Sequence, residues 1–147
     1  MNSRWSGTVS DAFFNGDAFD RNRVLQKPEY EASGRSSAQS FYILSVDVAR
    51  NKNCDTVIAV MKSTPAQVGP PYKNLVMMYV VNDMHMEDQA IMIKKLYYKY
   101  KARRIIIDAN GLGTGLIDYM VKSQMDKTDG TIYPDFGVYG SNVKDLP

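Results

Sequence analysis

Two aspartates each end a nearly continuous apolar run. Asp47 ends "FYILSVD" and Asp108 ends "RRIIID". A carboxylate beside a buried strand is costly unless something pairs with it, and two carboxylates in one cleft repel each other. A divalent cation removes that repulsion, and oxygen-only sites suit Mg²⁺ or Mn²⁺. Two such ions about 3.5–4 Å apart can activate water and stabilise the leaving oxygen of a phosphodiester. We therefore predict that Asp47 and Asp108 share a two-metal hydrolytic site.

Other polar residues near these two positions are candidates for supporting roles. Asp55 lies just before the next predicted strand, and it can either reach the same metal cluster or cap its own turn. Arg50 and Lys52 lie in the loop after the first aspartate, where cations are placed to contact the phosphate backbone of a phosphodiester substrate.

Glycines follow the second aspartate in the run "GLGTG", residues 111–115. Gly111 and Gly113 are predicted to let a substrate phosphate approach the N-terminus of the next helix. A plain strand-to-helix turn with positive φ explains the same glycines. A nucleotide-binding module using the Gly111–Gly115 turn is a further alternative. However, G-x-G-x-G is not the G-x-G-x-x-G pattern, and the preceding acid would repel a phosphate unless metal intervened.

The elements that must position these residues follow from the apolar periodicity. The order β-β-β-α-β-α predicts an α/β fold with a mixed sheet that contains a parallel pair. If the fourth strand lies beside the first, the two aspartates meet at the carboxyl ends of both strands, at the switch point of the sheet. The predicted strands cover residues 41–48, 56–61, 74–81 and 103–109, and the predicted helices cover 86–102 and about 114–125. The first helix is predicted to bury Ile93, Leu96, Tyr97 and Tyr100.

The composition limits the class of protein. With 147 residues the chain can form one domain with a sizeable core, and a net charge of +2 neither requires nor excludes a nucleic-acid partner. The single Cys54 allows no intrachain disulfide, and the single His85 does not support a zinc site or a histidine-activated nucleophile. The longest apolar run has 7 residues and the N-terminus is polar, so we expect a cytosolic protein without a membrane partner.

Residues 1–40 differ from the rest of the chain. "EASGRSSAQS" is small, polar and without periodicity, as in a connector. Upstream of it, a short segment carries aromatic residues that need a surface to pack on, either on the main domain or on a neighbour: Trp5, Phe13, Phe14 and Phe19. We therefore predict a linker over residues 1–40 and a domain over residues 41–147.

The two acidic segments resemble a known family. "SVDVARNKNCDTVIAV" and "RRIIIDANGLGTGLIDYMV" resemble the first two acidic motifs of the nuclease domain of bacteriophage terminase large subunits. "SRWSGTVSDAFFNGDAFDRNRVL" is similar to the segment that links that family's packaging ATPase domain to its nuclease. The resemblance implies an RNase H-like fold and cleavage of concatemeric viral double-stranded DNA during genome packaging. By this resemblance, Asp47 and Asp108 match the metal-binding catalytic carboxylates and Asp55 matches an accessory acid.

The resemblance also implies partners and a location. These are the packaging ATPase domain, other terminase components and the portal, in the cytoplasm of the infected host. The chain has no G-x-x-x-x-G-K-[ST], so it does not carry the ATPase itself. The family's third catalytic acid normally follows well after the second motif, and only Asp135 and Asp145 are offered here for that role. We therefore expect an incomplete nuclease domain with a piece of linker, and a catalytically inactive DNA-binding remnant is the remaining alternative.

Overall fold

The computed structural model describes residues 16–33, 40–49, 55–108 and 113–139, apart from the side chain of Phe19. The predicted docking of Trp5, Phe13 and Phe14 lies outside these residues. The elements in chain order are α1 (Gly16–Asn22), β1 (Phe41–Asp47), β2 (Thr56–Thr64), β3 (Tyr72–Val81), α2 (Met86–Tyr100), β4 (Arg104–Ile107), α3 (Gly113–Met120), β5 (Gln124–Met125) and β6 (Ile132–Tyr133).

The four longer strands form one mixed sheet in the order β3-β2-β1-β4. β1 and β2 pair antiparallel, as do β2 and β3, whereas β4 pairs parallel to β1. β4 therefore lies on the side of β1 that is away from β2 and β3. The predicted mixed α/β sheet with one parallel pair is confirmed.

The core lies between one face of this sheet and the two helices α2 and α3. Alternate residues of β1 point into it, because side chains along a strand alternate between the two faces. The prediction for α2 holds for Ile93, Leu96 and Tyr100, which are buried, while Tyr97 is half-buried. His85 lies exposed at the N-cap of α2, where its Nδ1 accepts from the Glu87 N–H at 3.3 Å. The buried strand residues include Tyr42, Leu44, Val46, Ile58 and Val60.

Helix α3 ends at Met120, and the prediction that it continues to residue 125 is wrong. Its last turn is closed by the Val121 N–H, which donates to the Ile117 carbonyl at 3.1 Å. Gln124 and Met125 instead form β5, which pairs antiparallel with β6. The chain leaves the helix because the backbone of these residues is paired in a hairpin.

Asp126 organises the turn of that hairpin. Its side chain is buried, and Oδ1 accepts from the Thr128 N–H at 2.8 Å and from the Thr128 hydroxyl at 2.7 Å. The carboxylate also forms an ion pair with Lys95 of α2. The Lys95 ammonium, followed by the two bonds from Thr128, lowers the pKa of Asp126 to about 2 from an ordinary value of 3.8. The ion pair between Asp126 and Lys95 therefore attaches the hairpin to α2.

Asp126→Asn is expected to destabilise the protein at neutral pH and to have little effect in strong acid. A carboxyl whose pKa is lowered by folding contributes stability above its unfolded pKa, and this stability is lost as the pH falls through the folded value. The difference between wild type and variant should therefore close between about pH 4 and pH 2, the interval between the unfolded and folded values. Urea unfolding of both proteins at stepped pH measures it. A difference that stays constant over this range would contradict the assignment.

Residues 29–33 attach to the end of the domain where β1 and β4 begin, and we call this segment the strap. Its backbone bonds join two elements: the Glu29 N–H donates to the Val76 carbonyl of β3 at 3.1 Å, and the Ala32 N–H donates to the Lys99 carbonyl of α2 at 3.3 Å. The Tyr100 hydroxyl donates to the Glu29 carbonyl at 2.7 Å. The strap is therefore bonded to the sheet and to the last turn of α2.

The side chains of the strap form a half-buried polar cluster. Lys62 Nζ contacts Glu29 Oε1 at 2.9 Å and Ser33 Oγ at 2.8 Å, while the Tyr42 hydroxyl donates to Glu29 Oε2. Burial alone would lower the pKa of Lys62, but the bonds to Glu29 and Tyr42 outweigh it and raise that pKa above its ordinary value. These contacts join residues that the sequence assigned to a linker with residues of β1 and β2. The boundary at residue 40 stays a prediction.

Candidate functional site

The pairing of β1 with β4 determines where the two aspartates lie. The last paired position joins Val46 to Ile107, so Asp47 and Asp108 are the next residues on the two parallel strands. The Asp108 N–H donates to the Val46 carbonyl at 3.2 Å, which continues the pairing to this point. Neighbouring strands lie about 4.8 Å apart. The structure therefore brings Asp47 and Asp108 to adjacent positions at the carboxyl ends of β1 and β4.

Both aspartates lie on the face of the sheet opposite the helices. Val46 is buried in the core and Ile107 packs against it, so the residue after each one points to the other face. Asp47 and Asp108 are accordingly exposed. Two carboxylates on one face of adjacent strands supply hard oxygen donors, which fits a divalent cation.

Asp55 lies at the same end of the sheet. Asp47 pairs with Val57, so these two side chains lie on the same face of the sheet. Asp55 precedes Val57 by two residues, and because side chains alternate along a strand it lies on that face as well. Asp55 is exposed, while its neighbour Thr56 is buried and accepts from the Ala49 N–H at 3.2 Å, which holds the two ends of this connection together. The backbone therefore directs Asp55 toward the side of β1 that carries Asp47.

The carboxylates nevertheless do not form a complete cluster. Within the part of the chain that the structure describes, no three acidic, histidine or cysteine side chains lie close enough together to hold a metal ion. The pair fits one hard cation in donor type, but a two-ion cluster needs more carboxylate ligands than these two. The two-metal site with Mg²⁺ or Mn²⁺ stays a prediction.

The candidates for a third acid are placed elsewhere or not described. Asp135 is exposed and follows β6, where its charge acts on Lys94 of α2. Lys94 is fully buried, donates to the Lys122 carbonyl at 2.6 Å, and has its pKa lowered by burial, an effect that Asp135 opposes. Asp145 lies outside the described residues. Asp135 therefore belongs to the surroundings of a buried lysine.

Of the remaining residues predicted from the sequence, some lie outside the described residues and the others have a structural role. Arg50, Lys52 and Gly111 lie outside the described residues. Gly113 is the buried first residue of α3. Gly115 lies within that helix, where a Cβ would come within 3.0 Å of the Met86 sulfur. This close approach gives Gly115 a packing role between α3 and the start of α2, independent of any phosphate.

The open face of the sheet beyond the aspartates is largely apolar. Residues that pair across the strands form rows on this face, each row running from β3 to β4. The two aspartates lie in the row at one end, and Arg104 lies in the row farthest from them. Large side chains are exposed there, including Leu75, Met78, Val80 and Ile106. Sequence analysis missed this surface, although the alternation in β3 and β4 was its signal. The rows are Val80, Val57 and Asp47; then Met78, Ala59, Ser45 and Ile106; then Leu75, Met61, Ile43 and Arg104.

Comparison with known proteins gives no relative: no family model, no curated protein and no solved structure matches the chain. Among the described residues, no helix is both long enough and apolar enough to cross a membrane.

Proposed function

We propose that this chain is the nuclease portion of a phage terminase large subunit, an RNase H-like, divalent-metal-dependent endonuclease that cuts concatemeric viral double-stranded DNA. The observation that carries the proposal is the adjacency of Asp47 and Asp108 on one face of two parallel strands. The sheet order β3-β2-β1-β4, with α2 as the crossover to a parallel β4, supports the fold assignment. The same proposal includes the host cytoplasm as location, and the packaging ATPase domain, other terminase components and the portal as partners.

In this proposal Asp47 and Asp108 share one task and Asp55 has another. Asp47 and Asp108 would hold Mg²⁺ or Mn²⁺, and Asp55 would support the site from the start of β2. A divalent ion held there would lower the pKa of a water molecule and offset negative charge on the phosphodiester. Because both aspartates are exposed on the open face, a phosphate of the DNA backbone can approach them without movement of the helices. Arg50 and Lys52 contact the same backbone.

An inactive DNA-binding remnant is the second candidate, because the described residues contain no third acid beside the pair. The two candidates differ in metal-dependent cleavage. The nuclease proposal expects conversion of supercoiled plasmid to nicked or linear DNA in Mn²⁺, weaker conversion in Mg²⁺ because that ion demands stricter octahedral geometry, and none in chelator. Plasmid binding without cleavage at any Mn²⁺ concentration would favour the remnant and overturn the proposed function.

A further inference from the structure

We propose that Thr56 is a positioning residue for the acidic pair: its hydroxyl fixes the backbone that follows Asp47 and so holds that carboxylate beside Asp108. The inference rests on the metal-binding role proposed above for the two aspartates. Thr56 is the first residue of β2 and is buried, with 3% of its surface exposed. Its Oγ1 accepts from the N–H of Ala49, two residues beyond the end of β1, at 3.2 Å. This bond therefore joins β1 to β2 at the end of the sheet that carries the acids.

The direction of the peptide groups explains why Ala49 reaches β2. The Asp108 N–H donates to the Val46 carbonyl, so the peptide groups of Val46 point toward β4. Peptide groups alternate sides along a strand, and those of Asp47 and Ala49 therefore point toward β2. The last pair of the ladder between β1 and β2 joins Asp47 to Val57. The Ala49 N–H is thus the next donor on this side, just past the end of the ladder.

The acceptor of this donor is a side chain where a continued ladder would use the backbone. In a continued ladder the acceptor would be the carbonyl of Asp55, an exposed residue that precedes β2. Thr56 is buried and β-branched, so the packing around it and its own second branch restrict its χ1 angle. Its hydroxyl oxygen is therefore held in one place, and we call its bond to the Ala49 N–H the clamp.

Asp47 is consequently held from two sides. The bond from the Asp108 N–H to the Val46 carbonyl ties β1 to β4 at 3.2 Å, and the clamp ties the following residues to β2. Val46 is buried in the core and Val48 packs against it, so the residue between them turns its side chain to the open face. The backbone from which the Asp47 carboxylate extends is therefore fixed relative to that of Asp108.

A fixed backbone matters because two ligands from different strands have to meet at one ion. Ligand groups bind well when their neighbours hold them within about 0.5 Å of the productive geometry. Mg²⁺ demands stricter octahedral geometry than Mn²⁺. Loss of the clamp should therefore weaken Mg²⁺ binding more than Mn²⁺ binding. A residue that only stabilised the fold would change both affinities in the same proportion, through the fraction of folded protein.

Thr56→Val tests the clamp, because valine keeps the shape and the branch at Cβ and removes the acceptor. Isothermal titration calorimetry without DNA measures the Kd of each metal. We expect the variant to raise the Mn²⁺ Kd about tenfold, and the Mg²⁺ Kd by a larger factor. Thr56→Ser keeps the hydroxyl oxygen and should bind both metals nearly as the wild type does. Unchanged Kd values in the valine variant, or an equal rise for the two metals, would overturn the inference.

Thr64→Val is the matched control. It makes the same change of atoms at the other end of β2, where Thr64 pairs with Tyr72, far from the acids. This variant should bind both metals as the wild type does. A loss equal to that of the Thr56 variant would show a general effect of a weakened strand and would contradict a positioning role. Far-UV circular dichroism and thermal unfolding verify that each variant is folded.

Amide hydrogen exchange in the absence of metal gives a readout that does not depend on the ion. The Ala49 amide should exchange faster in Thr56→Val than in the wild type, because it loses its acceptor. In Thr56→Ser its exchange should stay close to that of the wild type. An Ala49 amide whose exchange is the same in the wild type and in the valine variant would show that the clamp does not form in solution, which also overturns the inference.

These measurements separate the inference from the proposed function. A wild type that binds Mn²⁺ with the expected dependence on Thr56 and leaves plasmid uncut would overturn the nuclease proposal and support the inference. A wild type that cuts plasmid in Mn²⁺, together with a valine variant of unchanged metal affinity, would overturn the inference alone. A wild type that binds neither metal would overturn both.

Discussion

Asp108→Asn is expected to reduce Mn²⁺-dependent plasmid cleavage by about two orders of magnitude or more, with the fold retained. The amide has nearly the shape of the carboxylate but no negative charge, so the site loses a ligand charge. Since Asp108 is exposed at the end of β4, the substitution leaves the core untouched. Single-turnover cleavage at saturating DNA, followed over a Mn²⁺ titration, measures the loss and shows whether excess metal restores activity.

Asp47→Asn should behave in the same way, because the pairing of β1 with β4 makes the two acids equivalent neighbours. Asp55→Asn should have a smaller effect, since Asp55 precedes β2 and is not one of the adjacent pair. Asp20→Asn is the matched control: this acid lies on α1 with an exposed side chain and should not change cleavage. Undiminished cutting by the Asp108 variant would remove that residue from the mechanism.

Tyr100→Ala is expected to lower the free energy of unfolding by about 3–5 kcal/mol, which is the cost of emptying a large aromatic site in a packed core. Tyr100 is fully buried at the end of α2, and its ring lies 5.6 Å from that of Tyr42. Its hydroxyl also donates to the Glu29 carbonyl of the strap and lies 2.9 Å from the Tyr79 hydroxyl. The substitution therefore removes packing from the core and a bond from the strap together.

Tyr100→Phe separates these two contributions. It keeps the ring and removes the hydroxyl, so we expect a loss of about 1–2 kcal/mol in urea unfolding at neutral pH. Burial, followed by the bond with Tyr79, raises the pKa of Tyr100 above its ordinary value of 10.0. An acid whose pKa is raised by folding loses its contribution as the pH rises through the folded value, so the wild type should lose its advantage over the phenylalanine variant above about pH 10. Equal stability of the two variants at pH 7 would contradict a packing role for the ring.

The sequence carried enough information to predict the sheet and the meeting of its two aspartates. Apolar runs that end in an acid mark strand ends, and the crossover through α2 makes β4 parallel to β1, so register alone brings Asp47 to Asp108. The end of α3 was not predictable in this way, because Met120 and Val121 continue the apolar pattern. What ends the helix is the hairpin, whose turn depends on contacts of Asp126 with Thr128 and with Lys95.

The contacts of the strap with the sheet and with α2 could not be predicted from the sequence either. Its partners are distant along the chain, since Lys62 lies 33 residues from Glu29 and Tyr100 lies 71 residues from it. A polar, non-periodic composition reflects only the local preference of a segment. It does not indicate whether that segment forms hydrogen bonds with residues distant in the sequence. Tertiary contacts of this kind override local preference.

The strap has a mechanical consequence. A pull on the chain upstream of Glu29 acts on a residue whose N–H is bonded to Val76 of β3 and whose carbonyl is bonded to Tyr100 of α2. The load is therefore shared between a strand and a helix, so that no single strand is peeled from the sheet. The attachment lies at the opposite end of β1 from Asp47. We therefore expect tension on the strap to act at the end of the domain away from the acidic pair.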